Sequence, residues 1–319
     1  MSTFVLLAFR SLRRRFALVH VHNMPDVLVF SALVPKVLGA KVILDLHDPM
    51  PELGVTIFHV GPGSLGVRFL KKLERWSTAF ADVVVTVNLA CKKILAGRSC
   101  PPEKIHVVMN SPDEDIFAFR SPESTPTVTS RPFVIMYHGS ILERNGLDLA
   151  VSALASVRRV VPTAELRIYG GSTPFLDVVM EKVRQNGLQD AVRYFGGRDL
   201  DEIVAAIDAC DVGIIPNRRT LFAHINTPTR IFEYLSRGKP VIAGEAPGVQ
   251  DYFPEDALFF CELGNAEDLA RRILHVFNHP EDVERVVKRG QEVYLNHRWS
   301  EERRGFITVT AELLNGKAA

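Results

Sequence analysis

The chain has 319 residues, of which 47% are hydrophobic and 24% charged, a composition typical of an ordinary globular protein of about two domains. Its most apolar window, residues 17–38, is interrupted by His, Asn, Asp and Lys, so it does not predict a membrane-spanning helix. The net charge of +1 hides an asymmetry, because residues 1–100 contain 13 Lys and Arg against 6 Asp and Glu. Only this first part is therefore expected to meet an anionic surface. The four cysteines form no CxxC pair, and we expect them to be reduced and buried.

The first 110 residues alternate between predicted helices and short predicted strands. Helical periodicity covers residues 3–16, 27–38, 65–80 and 89–96. Runs of β-branched residues predict strands at 18–22, 41–46 and 83–87, with a short fourth strand near Val107. These elements indicate Rossmann-like βα units, but too few of them for a complete sheet.

From residue 132 onward, six short β-branched runs alternate with helical segments. The runs are PFVIMYHG, AELRIYGG, AVRYFGG, DVGIIP, KPVIAG and ALFFC, and helices are predicted at 148–160, 174–186, 199–209, 229–237 and 266–277. This alternation is typical of right-handed βαβ units, and six strands make one complete doubly wound parallel sheet. The predicted fold class is therefore α/β, with two Rossmann-like domains of which the first is incomplete and the second complete.

A stretch of linker composition separates the two predicted domains. Residues 111–131 are rich in Ser, Pro and Thr. We place the first domain at 1–120, the linker at 121–131 and the second domain at 132–298. A C-terminal helix at 299–319 is expected to pack back toward the first domain.

Three short motifs resemble ligand sites without their usual context. Residues 61–66 spell GxGxxG, but the next strand lacks an acid at its end and Pro62 removes a backbone donor, so we expect a loop followed by a helix. Residues 113–115 spell DxD within the linker, where a solvated acidic loop is the better interpretation. His20 and His22 point to one face of a strand, but no third ligand at zinc spacing accompanies them, so no metal site is predicted.

One helix of the second domain has unusually clear termini. Within NTPTRIFEYLSRGKPVIAG, residues 226–244, Thr227 is a suitable N-cap and Pro228 suits the first helical position. Gly238 is a suitable residue just beyond the C-terminus. A short helix is therefore predicted at about 228–237, between two parallel strands at the carboxyl edge of the sheet.

This helix allows two interpretations. In the first, the free N–H groups of Thr229 and Arg230, with the Arg230 cation, would form a phosphate-binding site. Glu233, one turn later, is spaced to accept hydrogen bonds from a vicinal diol. Alternatively, Arg230, Glu233 and Arg237 would form an exposed ion-pair stripe. The spacing alone leaves both interpretations open.

The stretch FEYLSRGKPVIAGEAPGVQDYF resembles the donor-site signature of family-four glycosyltransferases, which are retaining enzymes of the GT-B type with two Rossmann-like domains. The resemblance extends over essentially the whole chain. Further matching segments are LVHVHNMPD, KVILDLHDPMPEL, VNLACKKIL, KIHVVMNSPDEDIF, MYHGSILERNGLDLAVSALA, VGIIP and the late RWS. Family members that contain these segments are similar to enzymes that build bacterial surface polysaccharides.

The resemblance implies a binding role for each residue that matches the donor signature. Glu233 would bind the ribose of a nucleotide sugar, while Thr229 and Arg230 would hold its diphosphate. A loop after the first strand of the second domain would approach the same diphosphate. Its residues are Gly139, Ser140 and Arg144. The loop at 195–198 would read the base.

The resemblance also implies the chemistry. His47 would face the transferred sugar, and Asp48 would orient His47 or the acceptor. The donor would be a UDP- or GDP-sugar, and the acceptor a glycan or a polyprenyl-diphosphate-linked glycan. Retention by front-face attack needs no enzymic nucleophile, and arginines with a helix N-terminus would stabilise the leaving diphosphate without a metal or other cofactor.

Two departures from the family pattern leave an alternative open. The family usually has a second glutamate eight positions before Glu233, where this chain has Ile225, so that contact is absent or passes to Asn226 or His224. The chain also begins at what resembles the middle of the first domain. Either the true start lies upstream, or a partner chain completes the domain, or the chain is a degenerate copy. The alternative function is a non-catalytic nucleotide-sugar-binding subunit that needs a partner.

Basic and apolar residues alternate in two of the predicted helices. Arginines at 10, 13, 14 and 15 and the basic residues between 68 and 75 lie among Phe, Leu and Trp. Such helices can attach to anionic bilayers, although their apolar faces could equally belong to the core. We therefore expect a cytoplasmic protein, with peripheral contact at the inner face of the plasma membrane as a hypothesis. No nucleic-acid recognition motif is present, so nucleic acid is not an expected partner.

Overall fold

A computed structural model of the chain describes residues 3–122 and 131–316, which form two compact units. One unit takes its described residues from positions 1–110 and 300–319, and the other from positions 111–299. Residues 123–130 of the predicted linker and 317–319 of the predicted last helix lie outside the described residues.

The first unit is built on a four-stranded parallel sheet in the order β1-β2-β3-β4. Its strands are β1 (Leu18–His22), β2 (Lys41–Leu46), β3 (Val83–Thr86) and β4 (Ile105–Val107). The β-branched and leucine side chains of β2 and β3 are buried, as expected of central parallel strands covered on both faces. The predicted bounds of β1, β2 and β3 are confirmed to within one residue. The fourth strand, β4, lies at the predicted position near Val107.

Helices cover the sheet of the first unit. They are α1 (Thr3–Arg13), α2 (Leu33–Val37), α3 (Met50–Phe58), α4 (Leu65–Phe80), α5 (Leu89–Arg98) and, from residue 300, α14 (Trp299–Leu314). The single helix predicted at 27–38 is wrong in detail, because a 3-10 helix at Asp26–Ala32 precedes a short α2. Ser64 begins α4 by accepting a hydrogen bond from the Val67 N–H, so the GxGxxG segment is a loop with a helix start, as predicted.

Two apolar clusters hold the first unit together. On one face of the sheet, Leu44 and Val84 pack with Leu95 of α5. On the other face, Ile43 and Val85 pack with Leu313 of α14. Within the described ranges, no helix combines the length and the apolarity needed to cross a bilayer.

The second unit contains a six-stranded parallel sheet in the order β10-β9-β8-β5-β6-β7. Its strands are β5 (Phe133–His138), β6 (Ala164–Tyr169), β7 (Val192–Tyr194), β8 (Val212–Ile215), β9 (Val241–Gly244) and β10 (Phe259–Cys261). The chain moves outward from β5 to β7 and then returns to the other side of β5 with β8. The strand order therefore reverses between β5 and β8, and ligands of open α/β sheets bind beyond the carboxyl ends of strands at such a point.

The helices of the second unit follow its strands and complete a doubly wound arrangement. They are α6 (Leu147–Val157), α7 (Pro174–Gln185), α8 (Leu200–Asp208), α9 (Leu221–Ile225), α10 (Arg230–Ser236), α11 (Pro247–Gln250), α12 (Ala266–Asn278) and α13 (Pro280–Asn296). Ile135 of β5, Leu154 of α6 and Ile273 of α12 belong to one large buried cluster. The predicted α/β class with parallel sheets is confirmed, and all four cysteines are free and buried, as expected.

A partly buried arginine links three elements of the first unit. Arg98, at the end of α5, makes a bidentate contact of 2.6 and 2.8 Å with Glu52 of α3. It makes a second bidentate contact of 2.8 and 2.6 Å with Glu74 of α4, whose exposed fraction is only 1%. These contacts raise the pKa of Arg98 above its usual range, although burial opposes that shift. The buried carboxylate of Glu74 and the partly exposed one of Glu52 therefore depend on one guanidinium.

Replacing this arginine tests that dependence. Arg98→Met should lower the free energy of unfolding by about 3 kcal/mol, because it leaves the buried carboxylate of Glu74 without a counter-charge. Urea unfolding followed by circular dichroism measures the change. Arg68→Met, at an exposed position of α4, is the matched control and should change the free energy by no more than about 0.5 kcal/mol. Equal effects of the two substitutions would contradict this account.

Candidate functional site

The loop after β5 lies at the point where the strand order of the second sheet reverses. Gly139 has a φ of +118°, which side chains other than hydrogen rarely tolerate, and its N–H donates to the Tyr169 carbonyl at 2.9 Å. A Cβ atom on Gly170 would lie 2.2 Å from the Gly139 carbonyl oxygen. The Ser140 carbonyl accepts the Tyr137 hydroxyl at 2.7 Å. The loop is thus fixed by its neighbours, with its backbone accessible.

Helix α10 begins two residues later than predicted. Its first residue is Arg230, with Thr229 as the N-cap residue in a helical conformation. Pro228 instead forms a preceding turn, since its carbonyl accepts the Ile231 N–H at 3.0 Å. The Thr227 hydroxyl donates to the Gly248 carbonyl at 2.5 Å. With seven residues, α10 has only a weak helix dipole. The positive charge at its amino end therefore comes mainly from the Arg230 side chain.

Arg230 and Gly139, predicted to serve the same diphosphate, are adjacent in the structure. The Arg230 guanidinium donates to the His138 carbonyl at 2.6 Å and lies 5.1 Å from the centre of the Tyr137 ring. A Cβ atom on Gly139 would be 3.3 Å from the Arg230 side chain. Among the described residues, no carboxylate pairs with Arg230. Its positive charge is therefore available to an anion.

Glu233 contacts a buried histidine. Its carboxylate lies 2.5 Å from His138 Nε2, while His138 Nδ1 lies 2.8 Å from the Tyr234 hydroxyl. That hydroxyl donates to the Met136 carbonyl at 3.0 Å, so it must accept from Nδ1–H. A proton is then needed between Nε2 and the carboxylate. Burial lowers the pKa of His138, and the hydrogen bond between His138 and the Glu233 carboxylate opposes that shift.

His138 is a residue to which the sequence interpretation assigned no role, although it ends the buried strand β5. Arg237, in contrast, does not share its contacts with Arg230 or Glu233. It is only 4% exposed and makes a bidentate contact of 2.9 and 2.7 Å with Asp208. The alternative of an exposed ion-pair stripe on α10 is therefore wrong, because its three members have different partners.

The remaining predicted donor residues lie on loops at the same edge of the second sheet. Arg144 is in a short 3-10 turn, Glu143–Asn145, and its guanidinium lies 6.0 Å from the centre of the Phe222 ring. Its carbonyl accepts the N–H of Arg218, in the loop after β8, at 3.0 Å. In the loop after β7, Phe195 stacks on Tyr169 with 4.7 Å between ring centres.

His47 and Asp48 follow β2 in the first unit, and Asn23 fixes their backbone. The Asn23 side chain accepts the His47 N–H at 3.1 Å and donates to the Asp48 carbonyl at 2.8 Å. The sequence interpretation assigned no role to Asn23, although it closes the HVHN segment. His47 Nε2 lies 3.3 Å from a carboxylate oxygen of Asp45, and the bond to this carboxylate raises the pKa of His47.

The same oxygen of Asp45 faces His20 and His22. It lies 3.3 Å from His20 Nε2 and 3.2 Å from His22 Nδ1. Burial alone would raise the pKa of Asp45, but the imidazoles of His20 and His47 outweigh it and hold that pKa at about 2. Burial and the neighbouring His20 lower the pKa of His22. The expectation that His20 and His22 lack a third neighbouring ligand is therefore wrong, because Asp45 of the adjacent strand provides one.

The acidic DxD segment forms a local turn. Asp113 accepts the Asp115 N–H through its side chain at 2.9 Å, and its carbonyl accepts the Phe117 N–H at 2.8 Å. The segment is thus folded by its own backbone, in agreement with the interpretation as an acidic loop.

Two family models match the chain. The model described as "Glycosyl transferases group 1" matches residues 122–293, more than half of the chain. The model described as "Glycosyltransferase Family 4" matches residues 2–116. Together they span both units.

Individual relatives are distant but consistent. The probable glycosyltransferase WbjE of Pseudomonas aeruginosa is 22% identical over 70% of this chain and 56% of its own length. The amylovoran biosynthesis glycosyltransferase AmsK of Erwinia amylovora is 22% identical over 73% of this chain and 57% of its own length. The chain therefore spans about half the length of these curated relatives.

A solved structure establishes the fold. The crystal structure of Anabaena HepE in complex with UDP superimposes with a TM-score of 0.76 at 16% identity, covering 97% of this chain and 82% of HepE. At this identity the likeness concerns architecture, and it assigns the GT-B fold to the chain, as predicted.

The contacts of Asn23 lead to a pH-dependent prediction. Asn23 also donates to Asp26 at 3.2 Å, and burial raises the pKa of this carboxyl from 3.8 to about 6. Because the folded-state pKa is the higher one, the folded form loses stability as pH rises through this interval. Asp26→Asn keeps the acceptor oxygen but cannot ionise.

We expect Asp26→Asn to gain about 2 to 3 kcal/mol of stability over the wild type between pH 4 and pH 7.5. Urea unfolding at both pH values measures the gain. A stability difference that is the same at the two pH values would contradict this account of Asp26.

Proposed function

The chain belongs to the family of group 1 glycosyl transferases, and from that premise we propose that it transfers a sugar from a nucleotide-diphosphate sugar to a glycan or lipid-linked acceptor with retention of configuration. One observation carries the proposal. Arg230, a cation without a carboxylate partner, lies beside the Gly139 loop at the strand-order reversal of the second sheet.

We assign the donor diphosphate to this position. Arg230 and the backbone N–H groups of Thr229 and Arg230 supply positive charge and hydrogen-bond donors, and Ser140 and Arg144 extend the set from the loop after β5. Solved HepE structures in complex with UDP and with UDP-glucose share this architecture at 16% identity. A Mycobacterium tuberculosis relative that is 34% identical over 38% of this chain is named a GDP-mannose-dependent mannosyltransferase. The proposed donor is therefore a UDP- or GDP-sugar.

Glu233 is assigned to the ribose of the donor. One carboxylate oxygen is held by His138, which fixes the side chain at 18% exposure and leaves the second oxygen to accept from vicinal hydroxyls. In this arrangement His138 is a positioning residue, since it acts on the substrate through Glu233. The loop at 195–198, whose Phe195 ring is fixed by Tyr169, is assigned to the base.

The transfer step breaks the bond between the anomeric carbon of the sugar and the diphosphate, and it forms a bond from the acceptor hydroxyl to the same face of that carbon. The proton of the acceptor hydroxyl passes to the departing diphosphate. Negative charge grows on the departing nucleotide, and Arg230 and Arg144 stabilise that charge more strongly in the transition state than in the ground state. These side chains supply the neutralisation that a metal ion supplies in other transferases, so we propose that the diphosphate itself needs no metal. His47 is assigned to the transferred sugar, with Asp48 orienting it or the acceptor.

Attachment to an anionic membrane fits a lipid-linked acceptor. On α1, Leu12 is 74% exposed and the Arg13 guanidinium lies 4.2 Å from the centre of the Phe9 ring. On α4, Phe69 is 57% exposed and Lys72 lies 4.9 Å from the centre of the Trp76 ring. Exposed apolar groups beside cations suit the headgroup region of a bilayer. We therefore propose a polyprenyl-diphosphate-linked acceptor.

The ribose assignment is tested by Glu233→Gln. A glutamine amide can still donate to His138 Nε2, so the fold should persist, but the charged acceptor for the ribose is lost. We expect the dissociation constant for UDP-glucose, measured by calorimetry, to rise about 10- to 100-fold, as the loss of a charged hydrogen bond implies. Glu181→Gln, an exposed carboxylate on α7, is the control and should bind like the wild type. Unchanged affinity in Glu233→Gln, with an unchanged melting temperature, would refute the assignment.

The transferase activity is tested by nucleotide release. The full chain is incubated with UDP-glucose or GDP-mannose and a bacterial lipid extract, and released UDP or GDP is measured. His47→Ala should lower release by about 100-fold or more while donor affinity stays within about threefold, because His47 is assigned to the reacting sugar and not to the nucleotide. Donor binding without release in the wild type would exclude the transferase function for this chain.

A further inference from the structure

The first unit contains a group of metal-type ligands that the proposed transfer reaction does not use. His20 and His22 are two residues apart on β1, so their side chains share one face of the sheet. In the parallel register of β1 and β2, His22 lies opposite Asp45. One ligand atom from each of these three residues lies within 4.8 Å of the other two.

The distances among these atoms are long for hydrogen bonds. The separations of 3.3 and 3.2 Å between the two imidazole nitrogens and the Asp45 oxygen exceed the 2.7–2.9 Å usual for charged N–H···O contacts. They are close to the ligand–ligand separation of a tetrahedral zinc site, which is about 3.3 Å for metal–ligand bonds of about 2.0–2.1 Å.

A second observation also points to a missing partner. The Nε2 atom of His20 is buried and makes no hydrogen bond, although it lies 3.3 Å from the Asp45 oxygen. Buried polar atoms without a hydrogen-bond partner are rare in folded proteins. The protein groups around His20 do not explain why its Nε2 atom lacks one. The Asp45 oxygen has two lone pairs, yet three imidazole nitrogens converge on it, since His47 Nε2 is also 3.3 Å away. A cation bound by His20, His22 and Asp45 would supply the partner that His20 Nε2 lacks.

We propose that His20 Nε2, His22 Nδ1 and Asp45 Oδ2 bind a divalent transition metal ion of the zinc type. Two imidazoles and one carboxylate suit Zn²⁺, whereas Mg²⁺ and Ca²⁺ prefer oxygen ligands. Three protein ligands leave a fourth coordination position open to water or another ligand. All of these residues belong to the first unit, so the site is separate from the residues assigned to the donor diphosphate.

Metal binding is tested directly and without an activity assay. The full chain, treated with a chelator and exchanged into metal-free buffer, is titrated with Zn²⁺ by calorimetry, and Co²⁺ is added separately as a spectroscopic probe. We expect one Zn²⁺ per chain and, with Co²⁺, the intense visible absorption of a four-coordinate site.

The variant that tests the ligands is His22→Ala. The His22 side chain is 57% exposed, so its removal should not disturb folding. The dissociation constant for Zn²⁺ should rise at least about tenfold, because even residues that only orient a ligand contribute that much. His106→Ala is the matched control, since His106 lies on β4 of the same sheet outside the cluster, and it should bind Zn²⁺ like the wild type.

Thermal unfolding gives an independent readout. Saturating Zn²⁺ should raise the melting temperature of the wild type and of His106→Ala but not that of His22→Ala, because a ligand stabilises only the folded state that binds it. Absence of Zn²⁺ binding, or equal binding in His22→Ala and His106→Ala, would overturn the proposal. Neither result would affect the donor assignment, which rests on the second unit.

Discussion

The contact between His138 and Glu233 joins helix α10 to strand β5, and the geometry of the proposed donor site depends on it. His138 is held from the other side by Tyr234, whose hydroxyl reaches the backbone of β5 at Met136. Because His138 and Tyr234 are buried, neither can exchange its partner for water without a large desolvation cost. A short helix with little stability of its own is thereby fixed in orientation, and Arg230, one turn before Glu233, is fixed with it.

The position of this contact follows from the topology of the second sheet. Parallel strands end at one edge, and the strand order reverses beside β5, so the loops after β5 and β8 lie at the edge where open α/β sheets bind ligands. Gly139 and Gly170 serve this arrangement because a Cβ at either would meet a neighbouring group. The first unit repeats the principle with fewer strands: His22 ends β1 and His47 follows β2 at the corresponding edge.

The sequence predicted the fold better than the site. Strands were recognised because their β-branched runs are local signals, and the α/β class follows from their alternation with helices. Arg230 and Glu233 were singled out because they share a helix with clear termini, although the predicted start at Pro228 was wrong. Their donor-binding roles stay a prediction. The contributions of His138, Asn23 and Asp45 were not predicted. Each acts through a partner far away in the chain, as Asn23 does on His47, and register between strands is not visible in a single sequence.

The carboxylate of Asp45 connects the two kinds of chemistry inferred for the first unit. His47 is oriented by its contact with Asp45 Oδ2, and the same oxygen faces His20 and His22. One oxygen cannot give three imidazoles good hydrogen bonds at once, so the orientation of His47 depends on how the other two are satisfied. An ion held by His20, His22 and Asp45 would fix that oxygen and, with it, the contact that orients His47. The cluster would then set the position of the histidine assigned to the transferred sugar, although the diphosphate is neutralised by arginines elsewhere.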